Sequence, residues 1–169
     1  MKEIKASEIK ENIVGLIKND WMLITAGTAD DFNTMTANWG LMGELWFENM
    51  VEVVVRQQRY TKSFVEREGR FTLTFFGPEY KKVLSVMGTK SGREIDKMHY
   101  PGLDADVLPS GMVTFKGAKL IIECETVYSD ILDEANFKDK SVYEKCYGKI
   151  AGGIHTRYYG RILRVWSAE

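Results

Sequence analysis

Two polar clusters hold the residue types with the most chemistry in them: Asn33-Thr34-Met35-Thr36-Ala37-Asn38-Trp39-Gly40 and Arg56-Gln57-Gln58-Arg59-Tyr60-Thr61. The first sets hydroxyl, amide and backbone groups beside one Met and one Trp, a lining suited to a flat, largely apolar ring with a polar rim. The second supplies two guanidiniums, each able to meet phosphate oxygens with two parallel hydrogen bonds. Thr61 adds a hydroxyl, and a helix starting there would add unpaired N–H groups and a positive dipole end. Together the clusters suit a planar ring carrying a phosphate. Plainer readings stay open on spacing alone: two solvated arginines on a surface turn, and an ordinary strand whose Met35 and Trp39 belong to the core.

In the functional reading Thr34, Thr36 and Asn38 hydrogen-bond the rim of the ring or its attached chain, and backbone N–H groups near Thr36 and Ala37 approach its edge. His155, among Gly152, Gly153 and Thr156, is a candidate donor to the ring system or to a second planar ligand, with a surface histidine as the alternative. Lys97 is either a second charge for the phosphate or a solvated helix lysine. Tyr158-Tyr159-Gly160 puts aromatic bulk beside a glycine that permits close approach, which fits a subunit contact and a stacked ring equally well.

These residues need elements to position them. Ile9, Ile13, Leu16 and Ile17 recur at helical spacing after Ser7, predicting an opening amphipathic helix capped by Ser7 and ended by Asn19-Asp20. Trp21 to Ala26 reads as a strand, 27–33 as a polar connection, and the next strand carries Met35, Ala37 and Trp39 on one face. Val51 to Arg56 is a β-branched run that emerges directly into the second cluster. A short helix over 62–68 follows, with Ser63 and Glu66 as a capping box and Gly69 as its stop. Phe71, Leu73 and Phe75 alternate with Thr72 and Thr74 as a half-buried strand, and Pro78 starts a helix to about Met87. Alternation over 118–125 and the stretch 157–166 give two more strands, with 129–153 polar and irregular between them. Such strands, interrupted by short helices without regular alternation, predict a mainly β chain with peripheral helices, its antiparallel sheet closed or nearly closed into a barrel.

The 169 residues suffice for one domain, 1–169, with a single sizeable core. A formal net charge of -1 leaves no basic footprint for nucleic acid, so any anion site must be local. No apolar run approaches the roughly 20 residues of a membrane span, and Met1-Lys2-Glu3-Ile4-Lys5 lacks a signal-peptide hydrophobic region, so a cytoplasmic protein is expected. Cys124 and Cys146 read as free thiols, Cys124 in the core, and the two histidines offer no metal-ligand spacing.

Several ordered blocks resemble one family over most of the chain: Asn33 to Trp39, Val55-Arg56 with Arg59-Tyr60-Thr61, Ser91-Gly92-Arg93 with Asp96-Lys97, Asp133-Glu134-Ala135-Asn136-Phe137, and His155 with Tyr158 and Gly160. The chain resembles the flavin reductase-like proteins with an FMN-binding split β-barrel, and especially their flavoredoxin branch. The resemblance implies a homodimer binding FMN non-covalently in a groove near the subunit interface. It lays Asn33 to Trp39 along the isoalloxazine, gives the phosphate to Arg56 to Thr61, and turns His155 toward flavin or nicotinamide. Gln57 and Gln58 stand where the family often has Pro and a small hydroxyl residue, and Ile154 replaces an acidic or aromatic residue. The implied function is an FMN-dependent oxidoreductase, with NAD(P)H as a candidate electron donor. Free flavin, a metal chelate or a redox protein partner would be the acceptor. The rival expectations are an FMN-binding electron carrier or sensor without nicotinamide turnover, and a barrel that has lost its cofactor.

Overall fold

The computed structural model describes residues 1–149 and 153–168. Its elements are β1 (Lys2–Ile4), α1 (Ile13–Gly15), β2 (Met22–Thr28), β3 (Asp31–Ala37), β4 (Gly40–Leu45), β5 (Glu48–Arg56), α2 (Thr61–Glu68), β6 (Arg70–Phe75), α3 (Lys81–Thr89), β7 (Ala105–Val107), β8 (Val113–Phe115), β9 (Leu120–Ile131), α4 (Lys140–Tyr143) and β10 (His155–Ser167). The main sheet is antiparallel and runs β3-β2-β6-β9-β10-β5-β4, with β1 also paired to β10. Because β5 occupies one edge of β10 only over His155 to Arg161, the rest of that edge is open to β1 at Val165 to Ser167.

The sheet curls on itself. Met35 near one end of the strand order and Val51, Val53 and Val55 near the other share a buried cluster with Ile24, Phe71, Leu73, Ile122, Cys124 and Tyr158, so alternate residues of distant strands face a common interior. This is the expected mainly β fold, an antiparallel sheet with peripheral helices. A second cluster lies outside the curl, where α3 and the β7-β8 hairpin pack Leu84, Met87, Val113 and Phe115 against Leu23 and Ile121. That layer corrects one expectation: Thr72 and Thr74 are fully buried, because β8 covers them and accepts or shares their hydroxyl bonds at Val113 O (2.7 Å) and Thr114 Oγ1 (3.0 Å). Gly160 gives way to the Phe71 ring, since a Cβ there would lie 2.7 Å from Phe71 Cζ. Tyr158 points into the core and Tyr159 out of it.

The opening helix is shorter than its periodicity suggests. Pairing of β1 holds the chain extended, and the cap is Asn12, whose Oδ1 accepts from Gly15 N at 2.9 Å, not Ser7. It still ends at Asp20 through a wider turn over Leu16–Asp20. Helix α2 and its left-handed stop at Gly69 (φ 62°) fall where expected, but Ser63 donates to Tyr60 O and does not cap. β9 runs on to Ile131, and the stretch expected to be irregular holds turns and short helices over Glu134–Asn136, Lys140–Tyr143 and Glu144–Gly148. Gly152 lies outside the described residues. Both cysteines are free thiols. Among the described residues no helix is long and apolar enough to cross a membrane.

Candidate functional site

Three features bring the two clusters together. β3 is an end strand, so half its backbone groups face away from β2, and its last residues with Asn38 and Trp39 share a cleft wall with Arg56 at the end of β5. β5 delivers Arg56 at its last position, and the chain turns through Gln57 and Gln58 so that Arg59 N bonds Arg56 O at 3.0 Å before α2 begins. β10 brings His155 directly opposite Arg56 in the sheet register. The result is a cleft of about 430 Å³ lined by Met35 to Trp39, Arg56, Gln58, Arg59, Gly88 and His155. A second hollow of about 250 Å³ shares Met35, Gln58 and Arg59 with it and is walled by Asn33, Tyr60, Thr61, Thr89 to Gly92, Glu94 and Lys97. The larger lies within the roughly 300–1,000 Å³ usual for small-molecule sites.

The smaller hollow is electropositive. Arg59 Nη1 donates to Gly88 O at 2.6 Å, which leaves the rest of its guanidinium for the groove. Lys97 is buried, and its Nζ donates to Thr34 O (2.9 Å) and Met87 O (2.8 Å), two acceptors for three hydrogens. Burial, and then the nearby Arg59, lower its pKa to about 8. Burial, reinforced by Arg56, likewise lowers that of Arg59. Glu94 is the one carboxylate among the described lining residues, and no ion pair neutralises Arg56, Arg59 or Lys97 among the described residues. Cations that depress one another's pKa with little counter-charge mark a place prepared for an anion. The Thr61 hydroxyl accepts from Asn33 Nδ2 at 2.8 Å, so its own hydrogen is left to donate elsewhere. Gly92 closes this side, since a Cβ there would lie 2.0 Å from Asn33 Oδ1.

The larger cleft is mixed. Met35 is at once core and wall, whereas Trp39 is 42% exposed and packs on His155 with ring centroids 5.2 Å apart. His155 is buried, and its pKa is lowered to about 4 by burial first, then by Arg56 and Arg59. Its Nδ1 lies 2.9 Å from Tyr147 Oη.

Not every residue proposed from the sequence faces this groove. Thr34 is fully buried and its hydroxyl is shared with Thr25 (2.8 Å) and Ile24 O; only its carbonyl, bonded to Lys97, reaches the site. Gln57 turns to Thr156 Oγ1 at 2.7 Å and lines neither hollow. Thr36 lines the cleft, with its hydroxyl donated to Leu84 O at 2.5 Å. Arg56 is partly spent, donating to Gly153 O and Cys146 O at 3.0 Å each. Asn38 and Gln58 line the cleft, and Tyr60, edge-on to Phe64, walls the smaller hollow. The sequence did not single out Gly88, Lys90, Glu94 or Tyr147 for the site. The cluster of small residues at Gly88, Ser91 and Gly92 was the available signal for the loop. Nothing local marked Tyr147.

A donor set of guanidinium, ammonium and hydroxyl beside a cleft walled by Met35, Ala37 and Trp39 fits a phosphorylated planar ring system. Comparison with known proteins points the same way. A family model described as "flavin reductase like domain" matches residues 14–169. Among solved structures, an FMN-binding protein from Thermus thermophilus with bound p-hydroxybenzaldehyde aligns at a TM-score of 0.68 and 20% identity, covering 100% of this chain and 83% of that one. Flavoredoxin from Methanosarcina acetivorans gives 0.68 and 20%, covering 100% and 77%. The styrene monooxygenase flavin reductase of Pseudomonas putida S12 gives 0.63 and 19%, covering 89% and 80%. At these identities the likeness is one of fold. No curated relative matches the sequence.

Proposed function

Because the chain belongs to the flavin reductase-like family, we propose that the groove binds FMN non-covalently and that the protein is a flavin-dependent oxidoreductase. The positive charge of Arg59 and Lys97 beside the ring-sized cleft, faced by Glu94 as the one carboxylate among the described lining residues, carries this reading. Arg59, Lys97 and the Thr61 hydroxyl would hold the phosphate, with Arg56 adding long-range attraction. Residues 35–39 would flank the ring, with Trp39 and His155 at its open side. Bound FMN supplies the redox chemistry, taking electrons from a reduced donor such as NAD(P)H and passing them to flavin, a metal chelate or a protein. The residues supply orientation and charge; no side-chain acid or base is assigned. Purified protein is expected to carry, or to take up on FMN addition, a bound-flavin absorbance spectrum, and none after FMN addition would sink the proposal. Anaerobic stopped-flow mixing with NADH and with NADPH then separates the enzyme from a carrier, which only dithionite or a redox partner would bleach.

Lys97 gives a sharper test. Its free-site pKa of about 8 lies below the ordinary value of 10.5, so it is largely uncharged near pH 9. A phosphate dianion favours the ammonium and raises that pKa, so FMN should bind with proton uptake between about pH 8 and 10. Calorimetry at pH 9 in buffers of different ionisation enthalpy should show uptake for FMN and none for riboflavin, and Lys97→Met should abolish it.

The reading extends to a homodimer. α3 and the β7-β8 hairpin cover one part of the outer face, but across β4, β10 and β9 it carries Leu41, Tyr159 and Tyr128 and the hairpin tip Trp46-Phe47, all exposed or half-exposed. Trp46 packs on Tyr128 and Tyr159 at centroid distances of 6.3 and 5.8 Å, forming an aromatic surface on the same sheet face as Arg56 and His155. Burial of that surface against a second copy is the favourable way to cover it.

A further inference from the structure

We infer that Tyr147 is a positioning residue that holds His155 as the neutral tautomer protonated on Nε2, so that the cleft meets a ring nitrogen that donates a hydrogen bond. The assignment starts from the 2.9 Å contact between Tyr147 Oη and His155 Nδ1, made with the two rings nearly edge to face at 5.6 Å. Tyr147 is itself held from several sides. It packs on Phe137 and Tyr143, the Arg56 guanidinium lies 5.4 Å from its ring centroid, and that guanidinium also ties down Cys146 O.

Chemistry orients the bond. A phenol O–H is a far stronger acid than a neutral imidazole N–H, and an imidazole nitrogen is a better base than a phenol oxygen, so Tyr147 donates and Nδ1 accepts. Burial raises the Tyr147 pKa against the opposing pull of Arg56, so the phenol keeps its proton. Burial first, and then Arg56 and Arg59 in the same cleft, lower the imidazole's pKa to about 4 and keep it uncharged at neutral pH. A neutral ring has one N–H, and with Nδ1 accepting it sits on Nε2. Trp39 against the ring limits its rotation.

The consequence deepens the flavin reading and rests on it for the ligand's identity, though not for the tautomer. A cleft already lined by Arg56 and Arg59 disfavours another cation, yet the neutral Nε2–H still recognises an oxygen acceptor. The matching ligand group is a carbonyl or carboxamide oxygen on a planar ring, not a hydrogen-bond donor.

Long-range ¹H–¹⁵N correlation spectra of the ¹⁵N-labelled, ligand-free protein test this. The chain has two histidines, and exposed His99, whose Nδ1 contacts Asp96, is an internal reference. We expect a protonated Nε2 and an unprotonated Nδ1 for His155 across neutral pH. Tyr147→Phe should mix the tautomers and move the His155 midpoint up by about half a pH unit or more, because the bond that favours the neutral ring is gone. His99 should not respond. If the variant fails to fold, 3-fluorotyrosine labelling, which acidifies the phenol at nearly constant size, should shift the His155 Nδ1 resonance. A proton on Nδ1 in the wild type, or a His155 signal indifferent to these changes at Tyr147, overturns the inference. FMN titrated into the same sample separates the claims: failure to bind with the Nε2–H tautomer present removes the flavin reading and supports the Tyr147 assignment.

Discussion

Replacing Arg59 by alanine is expected to weaken FMN binding by roughly 10- to 150-fold, the equivalent of the roughly 1.5–3 kcal/mol that a hydrogen bond to a charged group contributes. Riboflavin, which lacks the phosphate, should lose little. The contrast with Arg56 follows from their partners. Arg56 has two N–H groups committed to Cys146 O and Gly153 O, whereas Arg59 has one committed to Gly88 O and stands between both hollows. Arg56→Ala should therefore cost FMN less affinity than Arg59→Ala and should free the Cys146 and Gly153 carbonyls that Arg56 holds. Part of the Arg59 loss will be recovered at Lys97, because removing the neighbouring guanidinium relieves the repulsion on its ammonium. Paired FMN and riboflavin titrations by calorimetry or fluorescence quenching decide the matter. Equal losses for both flavins would mean that Arg59 acts only by holding the Gly88 loop, and the phosphate would need another seat.

The strand-turn-helix unit that carries Arg59 was legible because each of its signals is local. The β-branched run of β5, the polar turn and the Gly69 stop lie within about twenty consecutive residues, and none depends on a distant partner. The first cluster was legible in composition but not in direction. Strand alternation puts Thr34 and Met35 on opposite faces, and which face meets the groove is settled by α3, which packs on β3 from 48 residues on, so Thr34 turned to Thr25 across the hairpin while Met35 became both core and wall. Gln57 went to Thr156 across 99 residues for the same reason. β1 could not be read from three residues, Lys2–Ile4, whose only argument for being a strand is the open edge of β10. Tyr147 was invisible because its importance lies wholly in a contact with His155 and in the stacking of Arg56, neither of which leaves a periodic trace.

Replacing Phe47 by glycine is expected to stabilise the isolated protomer while weakening the proposed dimer. Leu45 pairs with Glu48, so Trp46 and Phe47 form a two-residue hairpin turn, and both have positive φ, 58° and 62°. That geometry favours Asn-Gly, and a side chain in the left-handed region costs roughly 1–2 kcal/mol per residue. Phe47 is 99% exposed and gains no burial within its own chain to offset the strain, whereas Trp46 recovers some through Tyr128 and Tyr159. A bulky ring held against both its backbone preference and its aversion to water is explained by contact with something outside the chain. Phe47→Gly should thus raise protomer stability by about 1 kcal/mol, measured by denaturant unfolding at a concentration where the protein is monomeric. Sedimentation velocity should show the dimer dissociation constant rising at least about tenfold, the loss of roughly 1.5 kcal/mol expected when a buried aromatic anchor is removed. The opposite signs make the pair of measurements informative. A stability gain with unchanged association would leave the strain real but move the interface away from this tip. A stability loss would mean that the φ values impose no cost, and the argument for an external partner at Phe47 would fall with it.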